Sequence, residues 1–229
     1  MDPVPMQQQR QPPAEFGNLL GWFHSIPPVT RVYLSSSFLL TTLTHLDLAS
    51  PFHLYFNPKL IRAGEWWRLV TNFAYFGTFS VDFLFHMYFL VRYSRLLEEG
   101  DFRGRTSEFA VMLFFGMFVM SIVGLYVRVN FLGSSLTFMM VYVWGRRNKL
   151  VRMSFLGLFP FTAPWLPWVM LGFSVMLGNP MTIDVIGIGV GHMYFFLAFV
   201  YPRLAEIRGW KKKKLLGAPM MLQWLCGEI

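Results

Sequence analysis

Charge is scarce in this chain. Of 229 residues only 14% are Asp, Glu, Lys or Arg, where a soluble protein carries about 25%. That deficit argues against a water-soluble domain. Cysteine is nearly missing: a lone Cys226 excludes an intramolecular disulfide and any C-x-x-C redox or metal site. No asparagine opens an N-x-S/T sequon, so nothing marks a glycosylated exterior loop. There is no H-E-x-x-H and no cluster of His, Cys and carboxylates, so neither metal nor cofactor is expected. Paired-aspartate proteolysis has no support either, because Gly187-Ile188-Gly189 runs into Val190 and Asp184 has no obvious second member. The first thirty residues lack a basic region followed by an apolar one, so no cleavable signal is expected.

What is abundant is apolar. Hydrophobic residues make up 55%, with 25 Phe and 15 Met. Six segments approach the roughly 20 residues needed to cross about 30 Å of hydrocarbon, near 31–49, 78–97, 108–127, 131–145, 163–178 and 183–201. The reading is an all-α membrane protein with six transmembrane helices. The first segment carries Thr41, Thr42, Thr44, His45 and Asp47 and the fourth is short, so both belong inside a bundle. Thr106 or Ser107 is the expected cap of the third.

The net charge of +8 does not indicate a nucleic-acid partner. The basic residues lie in short clusters after the second, fourth and sixth segments (Arg92 to Arg105, Arg146 to Arg152, Arg203 to Lys214). The positive-inside rule then puts both termini in the cytosol and loop 50–77 on the other side. Residues 1–30 form an N-terminal tail, and residues 202–229 a basic C-terminal one. In the former, Phe16, Leu19, Leu20 and Phe23 either face acyl chains or belong to a tail ending at Pro27-Pro28. In the latter, Lys211 to Lys214 are surface charge near lipid headgroups, and Met220 to Leu225 a short interfacial segment.

Two stretches are irregular. Loop 50–77 is too polar to span and too aromatic to float, which suits a segment half-sunk in the bilayer surface with Trp66 and Trp67 at headgroup level. "FPFTAPWLPW" at 159–168 breaks the chain before the fifth segment. Ser134 and Ser135 open the fourth segment and His192 lies in the sixth. They are the parts of a nucleophilic dyad, or else the serines pack helices while His192 bonds within the bundle near the outer end. Gly187 and Gly191 form one smooth stripe, expected against Gly133 and Ser134. Gly189 lies about 200° from Gly187.

"GEWWRLVTNF", "LLEEGDFRGRTSEF", "LTFMMVYVWGRRN", "LPWVMLGFSVMLGNP" and "DVIGIGVGHMYFFL" together resemble the derlins, rhomboid-like pseudoproteases of the endoplasmic reticulum, over about residues 16 to 205. Some words look closest to the plant and algal branch. The resemblance implies a six-helix rhomboid-like fold and a role in ER-associated degradation. Misfolded lumenal and membrane polypeptides would be helped toward the cytosol, with a membrane ubiquitin ligase as partner and a homo- or hetero-oligomer as assembly. It places the family's W-R motif on Trp67 and Arg68, and its G-x-x-x-G on Gly187 and Gly191. Arg68 is expected to reach lipid phosphates or a carbonyl, orienting the loop rather than holding a core. Gly133 falls where rhomboid proteases carry their serine, and Ser134 and Ser135 are displaced by roughly 100° per residue. No catalytic residue is therefore expected. A Phe/Gly-rich tail motif that recruits an AAA ATPase is not seen, which leaves that partner without a sequence mark. Short or polar spans would thin the bilayer beside a hydrophilic lateral opening between the second and fifth spans. The competing readings are an active serine protease using Ser134 or Ser135 with His192, and a chaperone or trafficking adaptor without extraction activity.

Overall fold

Proline punctuates the start of the chain. In the computed structural model, which describes residues 19–155, 159–209 and 216–228, α1 (Leu19–Ser25) stops before Pro27, and α2 (Pro28–His45) begins with proline in its first turn. Proline is at home there because its missing N–H would be unbonded anyway. Expectations concerning Phe16 and Lys211 to Lys214 lie outside the described residues.

Helix α2 is built inside out. Its buried residues are Thr30, Ser37, Thr41 and Thr44, while Val32, Phe38 and Leu39 are more than half exposed. The Ser37 hydroxyl donates to Tyr33 O at 3.0 Å and the Thr44 hydroxyl to Thr41 O at 2.9 Å. Hydroxyls satisfied on their own helix can face a bundle while apolar side chains face outward, the arrangement a lipid surround favours.

After α2 come α3 (Pro58–Arg62) and α4 (Arg68–Ala74). They are followed by α5 (Val81–Leu96), which runs on through a π turn at Leu97–Asp101. Helices α6 (Thr106–Tyr126) and α7 (Gly133–Arg147) come next. Strands β1 (Arg152–Phe155) and β2 (Phe159–Thr162) then pair antiparallel, Arg152 opposite Thr162 and Met153 opposite Phe161. This hairpin corrects the all-α expectation. Pro160 removes a donor and bars helix, and a two-stranded sheet offers it an edge. Helices α8 (Leu166–Met176) and α9 (Met181–Phe195) follow. A π turn at Phe196–Val200 then leads into α10 (Tyr201–Ile207), and α11 (Met220–Leu225) lies beyond.

Among the described residues, two helical stretches are long and apolar enough to cross a membrane, Thr106–Tyr126 and Met181–Ile207, with mean hydropathies of 2.2 and 1.8. At 1.5 Å per residue they measure about 32 and 40 Å. On α6, Phe114, Phe118, Ile122 and Leu125 are exposed along one face, while Phe109, Leu113, Gly116 and Met120 are buried along another.

Helix α7 is the hub. Every residue from Ser135 to Gly145 is buried, against α5, α6, α8 and α9. Its hydroxyl-bearing residues therefore meet protein and not lipid. The tightest seam runs between α7 and α9. A Cβ at Gly187 would overlap the Ser135 carbonyl and lie 2.7 Å from Phe138 Cβ, and one at Gly191 would lie 3.0 Å from Tyr142 Cβ. A Cβ at Gly189 would meet nothing within 4 Å. The stripe thus seats on Ser135, Phe138, Met139 and Tyr142, not on Gly133 and Ser134 as the sequence suggested. Gly133 instead packs beneath the Phe73 carbonyl and the Phe76 ring.

Two helix starts are capped from far away. The buried Glu98 carboxylate, on the π turn after α5, accepts from Val29 N, Thr30 N and the Thr30 hydroxyl at 2.8–3.0 Å. This satisfies orphan amides of α2 and complements its dipole. At α6, neither Thr106 nor Ser107 caps the helix with its own side chain. Instead Glu228 accepts from the Ser107 amide at 2.7 Å and from its hydroxyl.

Candidate functional site

Two ionisable residues one turn apart near the start of α5 begin the site. Asp82 and His86 both lie on α5, and His86 Nδ1 stands 2.9 Å from Asp82 O and 3.4 Å from Asp82 Oδ2. From the turn after α8, Asn179 Nδ2 donates to Asp82 Oδ1 at 2.8 Å. One turn further along α5, the Phe85 ring meets the Phe173 ring of α8 edge-on, centroids 5.0 Å apart. Helix α5 is therefore tied to α8 by a ring contact and to the turn after α8 by a hydrogen bond. Behind these lies a crevice lined by Phe89, Thr137, Phe138, Met170 and Ser174.

A cavity of about 220 Å³ adjoins it at the Met181 end of the bundle, bounded by Tyr75, Phe76, Gly77, Ser134, Ile183 and Asp184. Asp82, His86, Ser174 and Asn179 border both spaces. Asp184 is 2% exposed and Ser174 7% exposed, yet Asp184 Oδ2 and the Ser174 hydroxyl have no hydrogen-bond partner. Ser174 sits beside Asp184 without completing a bond in good geometry. A buried polar group that lacks a well-formed hydrogen bond costs about 1–3 kcal/mol, so this loosely paired hydroxyl and carboxylate make the cavity wall locally polar.

The loop above is held by Arg68. Its guanidinium meets Glu65 Oε2 at 2.6 and 2.7 Å, donates to Phe52 O at 2.8 Å and Tyr55 O at 3.1 Å, and lies over the Tyr55 ring at 5.0 Å. At 2% exposure it cannot reach a lipid phosphate. The carbonyl alternative is the one realised, and Arg68 is the core of its loop. Trp67, 52% exposed, donates its indole N–H to His53 O at 3.2 Å, and Trp66 is 70% exposed.

The candidate dyad is not brought together. Ser134 borders the cavity. Ser135 is fully buried and donates to Ile183 O at 2.5 Å. His192 lies nine residues beyond Ile183, about 13 Å along the helix. Its Nδ1 pairs with the Tyr142 hydroxyl at 2.6 Å, well inside the Met181–Ile207 stretch rather than at its outer end, although His192 itself is exposed. Ser135 and His192 thus occupy separate levels of the α7–α9 seam.

Sequence reasoning missed Asp82, His86, Ser174 and Asn179, and set Asp184 aside. A signal existed for the first two: Asp82 and His86 are ionisable residues four apart within the apolar run VDFLFHMYFLV, where such residues are functional candidates by default.

Comparison with known proteins shows the family. The model of the Der1-like family matches residues 26–213. Maize Derlin-2.1 is 48% identical over 209 residues, covering 86% of this chain and 84% of that protein. Derlin-2.2 of Arabidopsis thaliana is 46% identical, covering 86% of each. Derlin-1 of the same plant is 34% identical over 209 residues, 90% of this chain and 78% of that one. A family model matched over most of the chain, together with relatives 34–48% identical, shows that the chain belongs to the Der1-like family, the derlins.

Proposed function

We propose that this chain is a non-catalytic, rhomboid-like derlin of the endoplasmic reticulum membrane that helps misfolded polypeptides leave for cytosolic ubiquitination and degradation. The observation that carries the proposal is the crevice between α5 and α8, bridged by the Phe85–Phe173 ring contact and the Asn179–Asp82 hydrogen bond and sharing its polar lining with the adjoining cavity. A polypeptide backbone entering the bilayer needs partners for its N–H and C=O groups, and Asp184, Ser174, Asp82 and Asn179 are placed to offer them.

Six crossings, by α2, α5, α6, α7, α8 and α9 with its extension, would put both termini in the cytosol, since the basic clusters gather at one end. Helices α7 and α8, of 15 and 11 residues, span only about 22 and 16 Å. That is less than about 30 Å of hydrocarbon, so lipid beside α8 would thin and the barrier to a polar chain would shorten. Gly133 at the nucleophile position, with Ser135 and His192 tied to other partners, supports a non-catalytic reading. A membrane ubiquitin ligase, an AAA ATPase and further derlin copies are the partners this role calls for.

The test is site-specific photocrosslinking during degradation of a misfolded ER substrate. A photoreactive residue at Phe173, beside the crevice, should capture the substrate, and one at Phe118, on the outer face of α6, should not. Equal capture at both positions would remove the crevice from the account.

A further inference from the structure

The basic end of the bundle has a cavity of its own. It encloses about 450 Å³ between the end of α7 and the π turn leading to α10, and Arg146, Arg147, Lys149 and Arg203 all line it. Among the described residues no carboxylate shares that wall. Arg147 is partly neutralised, bonded to Asp101 at 2.9 Å, and lies over the Phe199 ring at 4.4 Å. Arg146 lies over the Phe195 ring at 5.5 Å, and its Nε is buried without a hydrogen-bond partner. Ring faces hold guanidinium planes in place but leave their N–H edges free for an acceptor. Like charges share a partly desolvated wall there, which is costly unless an anion joins them.

Position narrows the choice of anion. This inference rests on the reading that Met181–Ile207 crosses the bilayer. Arg203 is 22 residues beyond Met181, about 33 Å along the helix, which is headgroup depth for a hydrocarbon core of about 30 Å. The remaining walls are apolar: Phe195, Phe199, Val200 and Leu204. A π turn forms part of them, a feature frequent at functional sites. Cationic and apolar walls meeting at that depth match a phosphate joined to acyl chains better than a free phosphate. We propose that this cavity binds the phosphate headgroup of an anionic phospholipid. Arg146 makes the oriented contact, and Lys149 and Arg203 supply further charge.

The experiment uses the full chain in phosphatidylcholine nanodiscs, with a fluorescent phosphatidic acid as probe and inorganic phosphate as competitor. Arg146→Gln should weaken probe binding by about tenfold, the worth of one charge-assisted contact. Arg103→Gln, an exposed cation at the same end, should change it less than about twofold. Should Arg146→Gln fail to give a folded protein, Lys149→Gln together with Arg203→Gln takes its place with the same expectation. Equal losses in the pocket and Arg103 variants would mean diffuse surface charge and overturn the site. Displacement of the probe by inorganic phosphate as readily as by unlabelled lipid would overturn the lipid assignment. Failure of Met181–Ile207 to cross the membrane would appear separately, in the accessibility of cysteines placed at its two ends.

Discussion

One guanidinium organises the loop that carries Trp67 and Arg68. Arg68 gathers a carboxylate, two carbonyls and an aromatic face into a single buried cluster, and no neutral side chain can supply that many donors in a plane. Removing it strands the Phe52 and Tyr55 carbonyls and the Glu65 carboxylate, whose side chain is 30% exposed and so recovers part of the loss from water. Arg68→Ala should therefore destabilise the protein by about 2–3 kcal/mol, lowering its thermal unfolding midpoint and eroding the monodisperse peak in detergent. Arg68→Lys should recover only part, because an ammonium is a point charge without the fork. An unfolding midpoint unchanged by Arg68→Ala would return Arg68 to the superficial role its sequence context suggested.

At the scale of elements the decisive contact is α7 on α9. Lipid tails already match apolar side chains, so helices in a membrane associate through close packing and hydrogen bonds. Glycine at 187 and 191 lets α9 approach the α7 backbone at Ser135 and Met139. This answers why glycine is tolerated in a helix where water would penalise it. Valine at either position must push aside backbone or Cβ atoms, which cannot give as a side-chain tip can. Gly187→Val and Gly191→Val should each cost about 1–3 kcal/mol or more and reduce the protein level, whereas Gly189→Val faces open space and should be tolerated. Similar protein levels for all three variants would leave the seam without energetic weight. The capping of α2 by Glu98 belongs to this scale too. Pro27 brings no capping side chain, so the helix start depends on a carboxylate held by another helix.

Across the whole molecule, the sequence displayed what depends on near neighbours. Apolar length announced the helices, and glycines four residues apart announced the seam. Three prolines announced the break before α8, though not its hairpin. What stayed hidden depends on distant residues meeting. The cavity joins Asp82 to Asn179 across 97 positions, Glu98 reaches Thr30 across 68, and Glu228 reaches Ser107 across 121. No local period records such pairs. Arg68 was misjudged for a related reason, since a basic residue beside two tryptophans reads as an interfacial anchor until the carbonyls of Phe52 and Tyr55 fold over it.

The central claim is that polypeptide passes the crevice between α5 and α8, and clamping that crevice tests it most directly. Phe85→Cys with Phe173→Cys, in a Cys226→Ala background, places two thiols where the aromatic clasp now closes. A short, cleavable bis-maleimide applied to ER membranes should tie α5 to α8. Turnover of a misfolded substrate should slow at least as much as in cells lacking the protein, and cleavage of the linker should restore it. Unchanged substrate turnover with the clamp fully formed would contradict the account.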